Sequence, residues 1–173
     1  MQNEKIIITL FAKDQPGIVQ ALSDTVLQHQ GNWLESSLSR LCGQFAGIVH
    51  IEVAPGNKEA LLASLAGLSD QGIQVTVQSL QGTETEEGKI NALQILVEAN
   101  DRPGIVEEIA TALAAQKVNV DHMDTEVASA SMAGYQLFRA HLFLALPDNL
   151  SETGLEAALE QVSDDVMVSV VED

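Results

Sequence analysis

The hexapeptide DQPGIV at residues 14–19 returns 87 residues later as DRPGIV at residues 101–106, and this repeat decides the fold. The same displacement carries Leu22 onto Ile109, Val26 onto Leu113 and Asn32 onto Asn119. Further along, Phe45 falls on Phe138, Leu62 on Leu155, Val75 on Val168 and Val77 on Val170, now 93 residues apart. The second copy has therefore gained six residues between Asn119 and Phe138. The stretch ASASMAG at residues 128–134, small and turn-prone, is where a surface hairpin lengthens at least cost. Two copies of one unit imply two small domains in the 173-residue chain. The expected boundaries are a first module over 1–80, a linker over 81–89 and a second module over 90–173. So short and polar a linker implies that the modules touch.

Each copy reads as strand, helix, two strands, helix, strand. In the first, the run IIITLFA at 6–12 is a buried strand. Ile18, Val19, Leu22 and Val26 then form one apolar helical stripe, which Gly31 ends as a left-handed cap. Residues 32–41 and 45–53, separated by CGQ, form a hairpin. Asn57 is positioned to cap a second helix with Leu62, Leu65 and Ala66 inward, and Ile73, Val75 and Val77 alternate along a last strand. In the second, residues 92–99 form the strand and Ile105, Val106, Ile109 and Leu113 the stripe. Residues 118–127 and 136–146 form the hairpin, Thr153 and Glu156 a capping box, and Val166, Val168 and Val170 close the sheet. The fold class is α+β: two ferredoxin-like βαββαβ modules in tandem, with antiparallel sheets and helices on one face.

Composition bounds the function. Hydrophobic residues make up 46% of the chain, enough for a packed core in each module. Acidic residues outnumber basic ones 25 to 8, a formal net charge of −17, which repels phosphate backbones and anionic lipid. No direct nucleic-acid binding and no membrane partner are expected. The lone Cys42 forms no intrachain disulfide, no apolar run is long enough to cross a bilayer, and the first residues read as a strand rather than a signal peptide. These features place the protein in the cytoplasm.

The repeated D-x-P-G-I-V lies where the first strand of each module meets its first helix. The first amides of a helix have no internal acceptor, and the macrodipole adds partial positive charge there. A small carboxylate can therefore be held by Gly17, Ile18 and Val19, or by Gly104, Ile105 and Val106. Pro16 and Pro103 fix the approach of the chain, and the glycines leave room for a ligand near the backbone. Asp14 and Asp101 are placed to cap the helix or to accept a hydrogen bond from the ammonium end of a zwitterion. Asn32 and Asn119, opening the next strand, offer both a donor and an acceptor. No nucleophile motif, phosphate loop or dinucleotide fingerprint appears, so no enzymatic activity and no cofactor are expected.

The βαββαβ order, with D-x-P-G-I-V after the first strand and asparagine opening the second, resembles the ACT domain, a small-ligand sensor attached to many enzymes of amino-acid metabolism. A tandem of two such modules without a catalytic or DNA-binding domain is similar to the glycine cleavage system transcriptional repressors. That resemblance implies a regulator that responds to a small amino acid, glycine first. It also implies action through a protein partner, a LysR-type transcription activator, that does the DNA binding. The first motif departs from that family's pattern in carrying Gln15 where Arg102 stands in the second.

Plainer readings stand beside these. D-x-P-G is ordinary turn chemistry that starts helices. Trp33 is best read as core packing, and Cys42 beside Gly43 as a small residue at a turn. His122, Asp124 and Glu126 alternate along one strand and could offer metal ligands, but a solvated strand face explains the run equally well, and no metal is expected. Glu84, Glu86 and Glu87 read as solvated linker. Two rivals to the sensor remain: a non-sensing interaction module whose open sheet face or edge strands build homo-oligomers, and a trans-acting regulatory subunit of an amino-acid metabolic enzyme.

Overall fold

The computed structural model describes residues 3–79, 91–129 and 134–171, and the chain divides into two compact units, Met1–Thr85 and Glu86–Asp173. The expected linker over 81–89 and part of the expected insertion lie outside the described residues. In the first unit, strand β1 (Glu4–Lys13) leads into helix α1 (Ile18–Gln28). Strands β2 (Asn32–Leu41) and β3 (Gln44–Val53), helix α2 (Pro55–Gly67) with a 3-10 turn over Leu68–Gln71, and strand β4 (Ile73–Ser79) complete it. The second unit repeats the order with β5 (Asn91–Asn100), α3 (Ile105–Ala115), β6 (Asn119–Ser129), β7 (Gln136–Leu146), α4 (Glu152–Glu160) and β8 (Met167–Val170). The sheets run β2-β3-β1-β4 and β6-β7-β5-β8, antiparallel throughout.

Strand alternation decides which side of each sheet is covered. Ile6, Ile8, Leu10 and Ala12 of β1 are buried with Ile18, Leu22, Val26, Leu61 and Leu65 of the helices. Between them Phe11 points to the helix-free side and is 49% exposed, so β1 is buried on one face only. The second core repeats this with Ile95, Val97, Ile105, Ile109, Leu142, Leu144, Leu155 and Leu159. Trp33 packs against the first core, as its apolar bulk suggests.

Several local expectations are corrected. Val19 and Val106 are exposed, because the inward line of each helix runs through Ile18, Leu22 and Val26, or Ile105, Ile109 and Leu113, and the valine stands about 100° round from the isoleucine before it. The left-handed residue that ends α1 is Gln30, with φ 57°, not Gly31. Its N–H donates to Leu27 O and that of Gly31 to Val26 O, the paired bonds of a Schellman ending; Lys117 and Val118 repeat them on Ala114 and Leu113. Gly31 is small for a different reason: a Cβ there would lie 2.9 Å from Val26 Cγ1. Asn57 does not cap α2, because Pro55, lacking an N–H, takes the first turn and Ala54 is the N-cap. The Asn57 amide instead donates to His29 O at 3.1 Å, tying α2 to the end of α1. Leu61 takes the inward place expected of Ala66, which is exposed. Helix α4 is capped by Ser151, whose hydroxyl accepts from Gly154 N–H at 3.1 Å, rather than by a Thr153–Glu156 box.

Candidate functional site

The two D-x-P-G corners share one backbone. Gly17 and Gly104 are the N-cap residues of α1 and α3, with φ of 95° and 94°, and neither helix start has a side-chain cap. A left-handed N-cap disfavours residues with a Cβ, although Gly17 has open space where a Cβ would stand. The aspartates do not cap the helices. The Asp14 N–H donates to Gly43 O and the Asp101 N–H to Gln136 O, both at 2.9 Å, so each corner is anchored on the β-hairpin of its own module.

Their side chains differ. At the first corner, Asp14, Gln15, Gly17, Ile18, Val19, Gln20 and Phe45 line a surface cavity of about 230 Å³. The first turn of α1 carries no acidic residue, and Arg40 approaches Asp14 at 3.5 Å. At the second corner, the first turn of α3 carries Glu107 and Glu108. The Arg102 guanidinium donates to both Glu108 carboxylate oxygens at 2.6 Å, a fork-to-fork pair that spans Gly104. This bonding holds the Glu108 carboxyl below the ordinary carboxylate range. Nearby, the Asp165 carboxylate accepts from Asn100 N–H at 2.9 Å and from the Ser163 hydroxyl at 2.5 Å. Those two bonds lower its pKa in turn.

Asn32 and Asn119 do not join the corners of their own modules. Asn32 pairs with Glu52 and Glu52 with Lys5, near the start of β1, whereas the corner follows Lys13 at its end. Eight residues of strand, at about 3.3 Å each, separate the two ends by roughly 25 Å. Asn119 lies likewise opposite Ala145 and Ala92, far from Asn100, and its amide donates to Asp121 at 2.7 Å. One small ligand cannot reach a corner and the asparagine of the same module.

On β6, His122 and Asp124 share a hydrogen bond of 2.7 Å, and Glu126 lies 3.8 Å from Arg139, which also donates to Glu98. Among the described residues no group of three or more histidine, cysteine, aspartate or glutamate side chains is placed to hold a metal ion. No described helix is long and apolar enough to cross a membrane.

Sequence reasoning missed Arg40, Phe45, Glu108 and Asp165 at the corners. The readable signal lay in the repeat itself: where the second module has Arg102, Glu108 and Asp165, the first has Gln15, Ala21 and Gly72.

Comparison with known proteins agrees with the fold. Along its whole length the chain is similar to a protein of unknown function from Galdieria sulphuraria, 24% identical over 99% of this chain and 100% of that one, with a TM-score of 0.77. It is also similar to a candidate glycine cleavage system transcriptional repressor, 16% identical over 99% of both chains, with a TM-score of 0.74. No curated protein sequence matches. Residues 4–78 and residues 93–164 each match a family model described as the ACT domain. The chain belongs to the ACT-domain family and carries two such domains in tandem.

Proposed function

We propose that this protein is an amino-acid-responsive regulator in which a small amino acid, glycine first, binds at a D-x-P-G corner and alters affinity for a protein partner. The cavity at the first corner carries this reading. There Gly17, Ile18 and Val19 line the cavity at a helix start that has neither a side-chain cap nor an acidic first turn, an arrangement suited to a carboxylate. Asp14, lining the same cavity, accepts from the ammonium group. Gly104, Ile105, Val106 and Asp101 form the equivalent corner. Asn32 and Asn119, at the far end of the sheet from the corner of their own module, stand outside this site. The cavity of about 230 Å³ is large enough to admit a free amino acid.

The partner follows from charge and family. A chain of net charge −17 is a poor ligand for DNA, so control of transcription runs through a second protein, a LysR-type activator. Coupling of about 1–3 kcal/mol suffices to change partner affinity 5- to 150-fold. A thermal-shift panel of the twenty amino acids is the test: a ligand at about 100 times its Kd stabilises the folded state by about 2.7 kcal/mol. Glycine should head the ranking. A flat panel returns the protein to the class of non-sensing interaction modules. Affinity purification with and without glycine then separates the regulators, since capture of an activator supports this reading and capture of a biosynthetic enzyme supports a trans-acting subunit.

A further inference from the structure

The two corners share a backbone but not a charge pattern, and the difference is concentrated at four positions. Gln15, Gln20, Ala21 and Gly72 of the first module correspond to Arg102, Glu107, Glu108 and Asp165 of the second. All four changes bring charge to the second corner. Arg102 precedes the N-cap Gly104 by two residues, and Glu108 stands one helical turn beyond it, its Oε1 lying 3.8 Å from where a Gly104 Cβ would be. The pair is bidentate at 2.6 Å on both arms. Asp165 adds a second carboxylate beside Arg102, itself fixed by Asn100 N–H and the Ser163 hydroxyl.

From this we infer that Glu108 is a tethered internal anion: latched by Arg102 across Gly104, it occupies the second corner and turns away an external carboxylate, leaving the first corner as the receptive one. The physical reason is concentration and charge. A carboxylate on the same helix meets Arg102 without loss of translational freedom, whereas a free amino acid pays that cost. Glu107 and Glu108 also place two negative charges in the opening turn of the second helix, where the first has none. A duplicated module has thereby kept its fold in both copies and its vacancy in one. The inference rests on the sensor reading for its biological use, yet the latch itself is testable without it.

The experiment titrates the native chain and the Glu108→Ala and Glu108→Gln variants with glycine and separately with acetate, following backbone amide resonances and, for glycine, calorimetric stoichiometry. In the native chain one glycine binds per chain, and the Gly17, Ile18 and Val19 amides shift with either probe while those of Gly104, Ile105 and Val106 stay still. In both variants the second set begins to shift and the stoichiometry rises from one to two. Circular dichroism melts of the variants establish that the second module remains folded; Glu108→Gln, nearly isosteric, keeps the comparison available should Glu108→Ala unfold. Equal response of both corners in the native chain overturns the latch, as does a second corner that stays silent in a folded Glu108→Gln chain. If glycine binds nowhere but acetate shows the asymmetric pattern and its release, the latch stands and the sensor reading falls.

Discussion

Arg102 and Glu108 face each other across Gly104 with two parallel hydrogen bonds of 2.6 Å, while the matching positions of the first module, Gln15 and Ala21, carry no charge. The consequence for stability has a definite sign. The Arg102 hydrogen bonds lower the Glu108 pKa in the folded state, and the Ser163 and Asn100 hydrogen bonds lower that of Asp165. A depressed carboxylate pKa contributes stability that is present above the unfolded value, about 4.3 for glutamate, and is lost as pH falls through the folded value. Urea midpoints of the native chain should therefore fall on acidification below about pH 4. The gap between native and Glu108→Gln should be widest at neutral pH and close as the acid limb is reached. A gap independent of pH would assign the loss to packing instead.

Gly17 and Gly47 are irreplaceable for opposite reasons, and alanine at each should separate them. At Gly17 the φ of 95° is the obstacle and space is free, so Gly17→Ala costs about 1–2 kcal/mol, the penalty of a left-handed residue with a Cβ. At Gly47 the φ is ordinary, but a Cβ would stand 2.1 Å from Ser37 O on the neighbouring strand, and backbone cannot step aside cheaply. Gly47→Ala should cost about 3 kcal/mol or more. Chemical denaturation ranks the two, and the opposite order would mean that strand β2 yields more readily than its pairing suggests.

The repeat made the architecture readable because two periodicities recur at fixed displacements. Alternation in β1 and β5 and the Ile18–Leu22–Val26 spacing leave one packing solution, helices on one face. Helix ends were harder to read. Asn57 and Thr153 have good capping chemistry, yet Pro55 and Ser151 decide where the helices start, since a missing N–H and a nearer hydroxyl act first. The corners were legible as motifs and not as sites. Glu108 joins Arg102 only once α3 has formed, and Asp165 reaches Asn100 from 65 residues away. The roughly 25 Å between corner and asparagine follows from strand register, which short-range spacing does not carry.

The endings of α1 and α3 offer a test of how far the modules are interchangeable. Gln30 and Lys117 both sit at φ 57°, and glycine there relieves a Cβ penalty at the cost of added unfolded-state freedom. Lys117→Gly should stabilise by up to about 1 kcal/mol. The next position behaves differently: Val118 is native in the second module, but Gly31→Val in the first would press on Val26 Cγ1 at 2.9 Å and Val26 O at 3.1 Å, destabilising by about 1–3 kcal/mol. Thermal melts of the two variants should move in opposite directions.

Cys42 and Gly43 form the tip of the β2–β3 hairpin with φ of 50° and 74°, the two positive values of a type I′ turn. Glycine suits the second position, whereas cysteine at the first carries a Cβ penalty that asparagine, with its local hydrogen bonding, largely escapes. The thiol is exposed and offers no packing to lose. Cys42→Asn should therefore raise the stability of the first module by a few tenths to about 1 kcal/mol, read as a higher urea midpoint with unchanged slope. Because Gly43 O holds the Asp14 N–H, the same change should also stiffen the first corner, seen as slower amide exchange at Asp14. A lower midpoint would show that the cysteine side chain does something at this tip that its exposure does not reveal.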